Sequence, residues 1–256
     1  MRIAWIQYDI TWKNSNENIS FVIETVESSQ NSFDLLVLPE MFDTGFVLDP
    51  TDLGDRDQEA VLNKIQQLSI HHTFDIVFSM IWKEGDDYFN RAFYVAGNHA
   101  SHYDKVHLFA PGGEAKYFKA GEERNTIKTK GGTSVLPLIC YDLRFPEISR
   151  NKGDIDLIIY SASWPEARTS HWDTLLKARA IENQCYVLGV NRVGLDGNNL
   201  NYIGHSQLID FYGNKVNTHN EVSIEIQGLF IAEADFSKMH SFRNKLPFLK
   251  DISYKN

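Results

Sequence analysis

The stretch SVLPLICYDLRFPE, residues 134–147, changes character at its middle. Up to Cys140 it is an apolar run bounded by turn residues, the pattern of a buried strand. Beyond Cys140, YDLRFPEI reads as a turn into a short helix. A cysteine at such an elbow stands at a sheet end, where backbone N–H groups converge on it. A helix N-terminus also lowers a thiol pKa. Cys140 is therefore a candidate nucleophile, although a free cysteine is as often a small buried hydrophobe.

Runs of the same kind recur on both sides of it, at 3–6, 35–38, 76–81, 92–96, 157–160, 186–190, 207–211 and 229–232. Each is four to six residues long, mostly β-branched, aliphatic or aromatic, and predicts a strand. Helical patterns lie between some of them. In 58–71, Val61, Ile65 and Leu68 share a face; in 170–184, Trp172, Leu175, Leu176 and Arg179 do, with Ser170 and Asp173 resembling an N-terminal cap. A third amphipathic stretch covers 18–28. The strands at 76–81 and 91–96 are separated by a polar GDD at 85–87, which predicts a hairpin and so excludes a purely parallel sheet. A layered α/β protein with packed sheets follows. No linker, repeat or low-complexity tract divides residues 1–256, and one domain is expected.

The 256 residues carry a net charge of −9. This disfavours nucleic acid and anionic membranes as partners, because both reward a basic face. Two cysteines, Cys140 and Cys185, make no disulfide framework and fit a reducing, cytoplasmic setting. The start MRIAWIQYDI has no signal-peptide pattern, and no apolar run is long enough to span a bilayer.

Three further residues invite attention. Glu40 in LLVLPEMFDTGF follows an apolar strand directly, and a carboxylate desolvated there gains basicity. Lys105 in SHYDKVHLF sits among apolar residues after a strand, where an ammonium stabilises a developing oxyanion. Glu114 in PGGEAKYFKAG follows a glycine pair and by itself reads as a loop charge. Cys185, inside a helix-to-strand passage, reads as inert.

Together, LPEMFDTGF, YDKVHLF and LICYDLRFPE bring Glu, Lys and Cys in that order, and the set resembles the nitrilase superfamily of carbon–nitrogen hydrolases. The resemblance extends through GGEAKYFKAG, HWDTLLKARAIENQCYV, NRVGLDGN, GHSQLIDFYG and FRNKLPFLKD, nearly the whole chain. Within the superfamily, LPEMFDTGF, CYDLRFPE and SASWPEAR look most like the ω-amidases acting on 2-oxoglutaramate and related 2-oxo dicarboxylic acid monoamides. The resemblance implies a four-layer α-β-β-α sandwich, Glu40, Lys105 and Cys140 as a triad with Glu114 as a second glutamate beside it, no metal or organic cofactor, and a homodimer.

On that footing Glu40 takes the Cys140 proton and the thiolate attacks an amide carbon. The oxyanion rests between Lys105 and the backbone N–H of Tyr141, each donor lowering the barrier by roughly 3–4 kcal/mol. A 2-oxo acid substrate also needs a cation for its carboxylate. Arg168 in SASWPEARTS is the candidate, with Trp164 as an apolar wall, while Arg144 is expected to pair with Asp142 or Glu147. A nitrilase, an aliphatic amidase or an N-carbamoyl amine hydrolase is the alternative within the superfamily. A metal-dependent phosphoesterase is disfavoured because His71–His72 and His99–His102 lack carboxylates at ligand spacing. A non-catalytic scaffold has no need of the Glu40, Lys105 and Cys140 set.

Overall fold

In the computed structural model, which describes residues 1–224 and 226–252, every apolar run singled out above coincides with a strand over at least its first three residues, with 35–38 and 207–211 running past the strand end. The strands are β1 (Arg2–Gln7), β2 (Leu35–Val37), β3 (Asp75–Glu84), β4 (Asp87–Ala96), β5 (His99–Asp104), β6 (Ile127–Lys128), β7 (Ser134–Ile139), β8 (Leu157–Ala162), β9 (Tyr186–Asn191), β10 (Val193–Leu195), β11 (Asn201–Ile203), β12 (Gln207–Ile209), β13 (His219–Ile224) and β14 (Gln227–Glu233). The helices are α1 (Ser15–Glu27), α2 (Gln58–His72), α3 (Pro146–Ser149), α4 (Thr169–Asn183) and α5 (Phe236–Lys245).

One sheet runs β13-β14-β1-β2-β3-β4-β5 and another β12-β9-β8-β7-β6, with β10-β11 as a separate hairpin. The centre of each large sheet is parallel, β1-β2-β3 in one and β7-β8-β9 in the other, and the flanking pairs are antiparallel. The β3-β4 hairpin turns on Gly85 and Asp86, with Gly85 at φ +62°. Asp87 already belongs to β4, so the turn is one residue shorter than the GDD pattern suggested.

Side-chain alternation assigns the layers. Ile3 and Trp5 of β1 share a core with Leu136, Leu138 and Ile159 of the second sheet. Ala4 and Ile6, on the other face of β1, pack with Ile19 and Val22 of α1 and Ile65 of α2. On the far side, α4 buries Trp172 and Leu176 against β9. Gly189 permits that approach, since a Cβ there would stand 2.5 Å from Trp172 Cζ2 and 2.6 Å from Leu176 Cδ1. The architecture is thus helix, sheet, sheet, helix, an α-β-β-α sandwich.

Asn14, Asp57 and Asp235 cap α1, α2 and α5 through their side chains. Ser170 does not cap α4. A 3-10 turn at Glu166–Arg168 runs straight into the helix, so α4 begins at Thr169 and Ser170 lies inside it. Among the described residues no helix is long and apolar enough to cross a membrane. The segments leaving the carboxyl ends of β2, β5, β7 and β8 carry Glu40, Lys105, Cys140 and Ser163, and parallel α/β sheets bind ligands at that end.

Candidate active site

Glu40 is fixed from both sheets. Leu38 N donates to Val77 O in the first sheet, and Glu40 N donates to Ala162 O at the end of β8 in the second. Ser161 Oγ donates to Leu38 O at 2.8 Å and Ser163 N to Glu40 Oε2 at 2.9 Å. Glu40 has no solvent exposure, so the solvated loop glutamate that its position alone would permit is excluded.

Lys105 follows β5, and its backbone N donates to Asn90 O on β4. Its Nζ reaches Glu40 Oε1 at 2.9 Å and the two Glu114 oxygens at 3.1 and 2.9 Å. Glu114, fully buried, lies in a 3-10 turn where Phe109 N also donates to its Oε2. It is therefore a site residue and not a loop charge. Seen from Nζ, two oxygens of one carboxylate lie too close to match two tetrahedral N–H directions, so one N–H serves both. A second goes to Glu40, which leaves a third for a ligand in the cleft.

Cys140 ends β7 at φ +42°, a left-handed conformation uncommon for a side-chain-bearing residue, and turns directly into a 3-10 helix over Cys140–Arg144. The elbow read from sequence is present. Asp142 holds it from within. Its buried carboxylate accepts from Ile139 N at 3.0 Å, Tyr103 Oη at 2.8 Å, and His107 N and Nδ1 at 3.1 and 2.9 Å.

Burial raises the Glu40 pKa; Lys105 opposes this and the negative charge of Glu114 adds to it, with a raised value as the outcome. Burial, and then Glu40, push the Cys140 thiol well up against the opposing pull of Lys105. The expectation that the elbow lowers the thiol pKa is overturned, because one short 3-10 turn cannot offset burial beside a carboxylate. Burial disfavours the Lys105 ammonium, but Glu114 and Glu40 more than reverse this, and it stays charged. The arrangement places a carboxylate of enhanced basicity beside a thiol that holds its proton, with an ammonium between the two carboxylates. Cys185 is fully buried, and its thiol is pushed up to about 12 by burial.

Cys140 opens into a small cleft with Tyr141, Trp164 and Arg168 on its walls. Trp164 is held by Asn191, which accepts from its backbone N at 2.8 Å, and by its own Nε1 donating to Arg168 O at 2.8 Å. Arg168 lies over the Phe109 ring at 5.6 Å. Arg144 does not pair with Asp142 or Glu147. Asp142 is buried beneath the elbow and taken by the donors named above, while Arg144 faces the cleft, 4.7 Å from the Trp164 ring. Two guanidinium groups therefore flank the cleft where sequence suggested one.

Asn90 was not singled out from sequence, although a carboxamide on a strand just ahead of its apolar run is a signal of a buried polar role. Asp142 and Tyr202 were missed too. Tyr202, also on the cleft wall, bonds Asp196 at 2.9 Å and faces the Arg192 guanidinium at 4.8 Å. The bonds of Asn90 to Glu40 and of Asp142 to Tyr103 and His107 join segments far apart in sequence, and no local pattern reports them.

The chain matches the carbon-nitrogen hydrolase family over residues 2–244 and belongs to it. It is a hydrolase of carbon–nitrogen bonds, as the nitrilase-superfamily resemblance implied. It is 36% identical to omega-amidase YafV of Yersinia enterocolitica over 98% of this chain and 96% of that one. It is 34% identical to the 2-oxoglutaramate amidase of Bacillus subtilis over the same shares of each chain. Among solved structures, XC1258 of Xanthomonas campestris, a CN-hydrolase superfamily protein with an arsenic adduct in its active site, superposes with a TM-score of 0.90. It is 33% identical and covers 100% of this chain and 98% of its own.

Proposed function

We propose that this chain is a cysteine-dependent amidase that hydrolyses the terminal amide of small 2-oxo dicarboxylic acid monoamides, such as 2-oxoglutaramate and 2-oxosuccinamate. The products are the dicarboxylate and ammonia. The observation that carries the substrate reading is the pair of guanidinium groups, Arg144 and Arg168, on a small cleft that ends at Cys140. A substrate with an anionic head and a terminal amide suits that polarity, since a guanidinium binds a carboxylate through two parallel N–H bonds. The names of the relatives point the same way.

In this reading Glu40 accepts the Cys140 proton as sulfur bonds to the amide carbon. The tetrahedral oxyanion is met by the third N–H of Lys105 and by the backbone N–H of Tyr141. Glu40, or Glu114 beside it, returns a proton to the leaving nitrogen, and ammonia departs as the C–N bond breaks. Water then attacks the thioester with a glutamate as base, releasing the acid and restoring the thiol. Every step is assigned to a side chain or backbone group, with no cofactor.

The chain is further proposed to act as one domain, in the cytoplasm and as a homodimer, with a small amide and no nucleic acid as its partner. Its two free cysteines and its acidic charge support the compartment and the lack of a nucleic-acid role. An ammonia-release assay tests the activity, comparing 2-oxoglutaramate, 2-oxosuccinamate, glutamine, a simple nitrile and a carbamoyl amine. Preference for the two oxo acid amides is expected. Preference for the nitrile or the carbamoyl amine would move the chain to another branch of the superfamily.

A further inference from the structure

The hydrogen-bond capacity around Glu40 is unevenly filled. Its Oε1 accepts from Lys105 Nζ at 2.9 Å and from Asn90 Nδ2 at 2.8 Å, which occupies that oxygen. Its Oε2 accepts from Ser163 N at 2.9 Å, and the negative charge of Glu40 acts on the Cys140 thiol, whose Sγ donates to Ser163 O at 3.8 Å. The second N–H of the same Asn90 amide goes to Glu114 Oε1 at 3.0 Å. Asn90 has no solvent exposure, and its orientation is not open to choice. Both carboxylates demand donors, so the NH2 faces them, and Oδ1 takes the Ser79 hydroxyl at 3.2 Å. The Asn90 backbone carbonyl meanwhile accepts from Lys105 N at 3.0 Å, so one residue bonds both carboxylates and the backbone of Lys105.

We infer that Asn90 is a positioning residue of the reaction: it saturates Glu40 Oε1 and locks the two carboxylates together, which commits Glu40 Oε2 as the atom that takes the Cys140 proton. Lysine alone does not secure this. An ammonium is a freely rotating point charge with N–H bonds for either oxygen, whereas a buried amide wedged between Ser79 and two carboxylates has one orientation. Without Asn90, Glu40 Oε1 loses a donor and the carboxyl is free to rotate, so that either oxygen faces the thiol. The loss of a bond to the ionised form also makes that form harder to reach. The charged and titratable groups facing Glu40 are Lys105, Glu114 and Cys140, with Arg144, Arg168 and Tyr202 on the cleft they adjoin.

This inference rests on the proposed role of Glu40 as base, and the test separates the two. Asn90→Ala and Asn90→Asp are compared with Glu40→Gln in full pH profiles of kcat and KM on an accepted amide. Asn90→Asp preserves the shape of the side chain and carries the test should the alanine variant not fold. The expected result is a fall in kcat of roughly 30- to 100-fold, the scale of one charge-assisted hydrogen bond, with KM changed less than threefold. The acidic limb should move to higher pH in both variants, and further in Asn90→Asp, where a third carboxylate adds repulsion. A drop in kcat with the limb unmoved would reduce Asn90 to packing, and unchanged kcat would dismiss it. Wild-type turnover in Glu40→Gln would instead remove the base itself, whatever Asn90 does.

Discussion

Asp142 Oδ1 accepts both the backbone N–H of His107, at 3.1 Å, and its ring Nδ1, at 2.9 Å. The two residues are 35 positions apart. One belongs to the segment that delivers Lys105 and the other to the elbow that delivers Cys140, so this pair sets the spacing of ammonium and sulfur. The His107 ring is further pinned by stacking on Phe145 with centroids 3.9 Å apart.

Replacing Asp142 with alanine leaves Ile139 N, Tyr103 Oη and His107 N without their acceptor. Each buried unpaired donor costs about 1–3 kcal/mol, so denaturant unfolding should report a loss of at least 3 kcal/mol. Turnover should fall at least tenfold even under conditions where the variant is folded. A stable, fully active Asp142→Ala protein would contradict the coupling of the two segments.

Cys140→Ala should abolish turnover with little change in melting temperature, because the strained backbone at that position is kept. Iodoacetamide on the native protein should add one label per chain, which peptide mass spectrometry would locate at Cys140. Cys185 is fully buried and out of the reagent's reach, whereas Cys140 opens to the cleft. Labelling of Cys185 at a comparable rate would mean that its burial is not maintained in solution.

The raised Glu40 pKa fixes the direction of the acidic limb. The base acts ionised, and a raised pKa means that protonation sets in at a higher pH as the solution is acidified. The kcat/KM profile should therefore lose activity above the ordinary glutamate range and keep it on the alkaline side. A limb at the ordinary glutamate value would show that Lys105 outweighs burial.

Arg144→Ala and Arg168→Ala address the carboxylate. Removing a guanidinium from a bound carboxylate forfeits about 1.5–3 kcal/mol, a rise in KM of roughly 10- to 150-fold for 2-oxoglutaramate. A neutral amide of similar length should be nearly unaffected. The arginine whose loss raises KM equally for both substrates has no part in carboxylate binding.

Gly189→Ala drives a methyl group into the Trp172 and Leu176 side chains. Overpacking of this kind costs about 1–3 kcal/mol. The effect should appear in thermal unfolding and leave KM unchanged, since the contact lies on the outer face of the sheet.

Nine of the strands and both long amphipathic helices were legible because each is written in local periodicity, whereas β5, β6, β10, β11 and β13, short or polar in sequence, were not. The set proposed as catalytic was legible for another reason: Glu40, Lys105 and Cys140 each follow a strand directly, and their motifs resemble a family pattern. Glu114 carried no such local mark, and only family resemblance raised it above a loop charge. Asn90, Asp142 and Arg144 show what sequence left out. Asn90 matters through the two carboxylates that distant segments of the chain bring beside it. Asp142 looked like a salt-bridge partner for Arg144, two residues away. Which of two neighbouring polar residues points into the elbow and which into the cleft depends on the positive φ at Cys140, and no spacing rule contains that angle.

Glu40, Asn90 and Lys105 hang from the first sheet, while Cys140 and Ser163 hang from the second. Neither half of the chain holds a working site, and a chain whose sheets have formed but not docked carries a thiol without its base. Activity from the proposed Glu40–Cys140 pair requires the closed sandwich, and its recovery on refolding is expected to report that closing without any added probe.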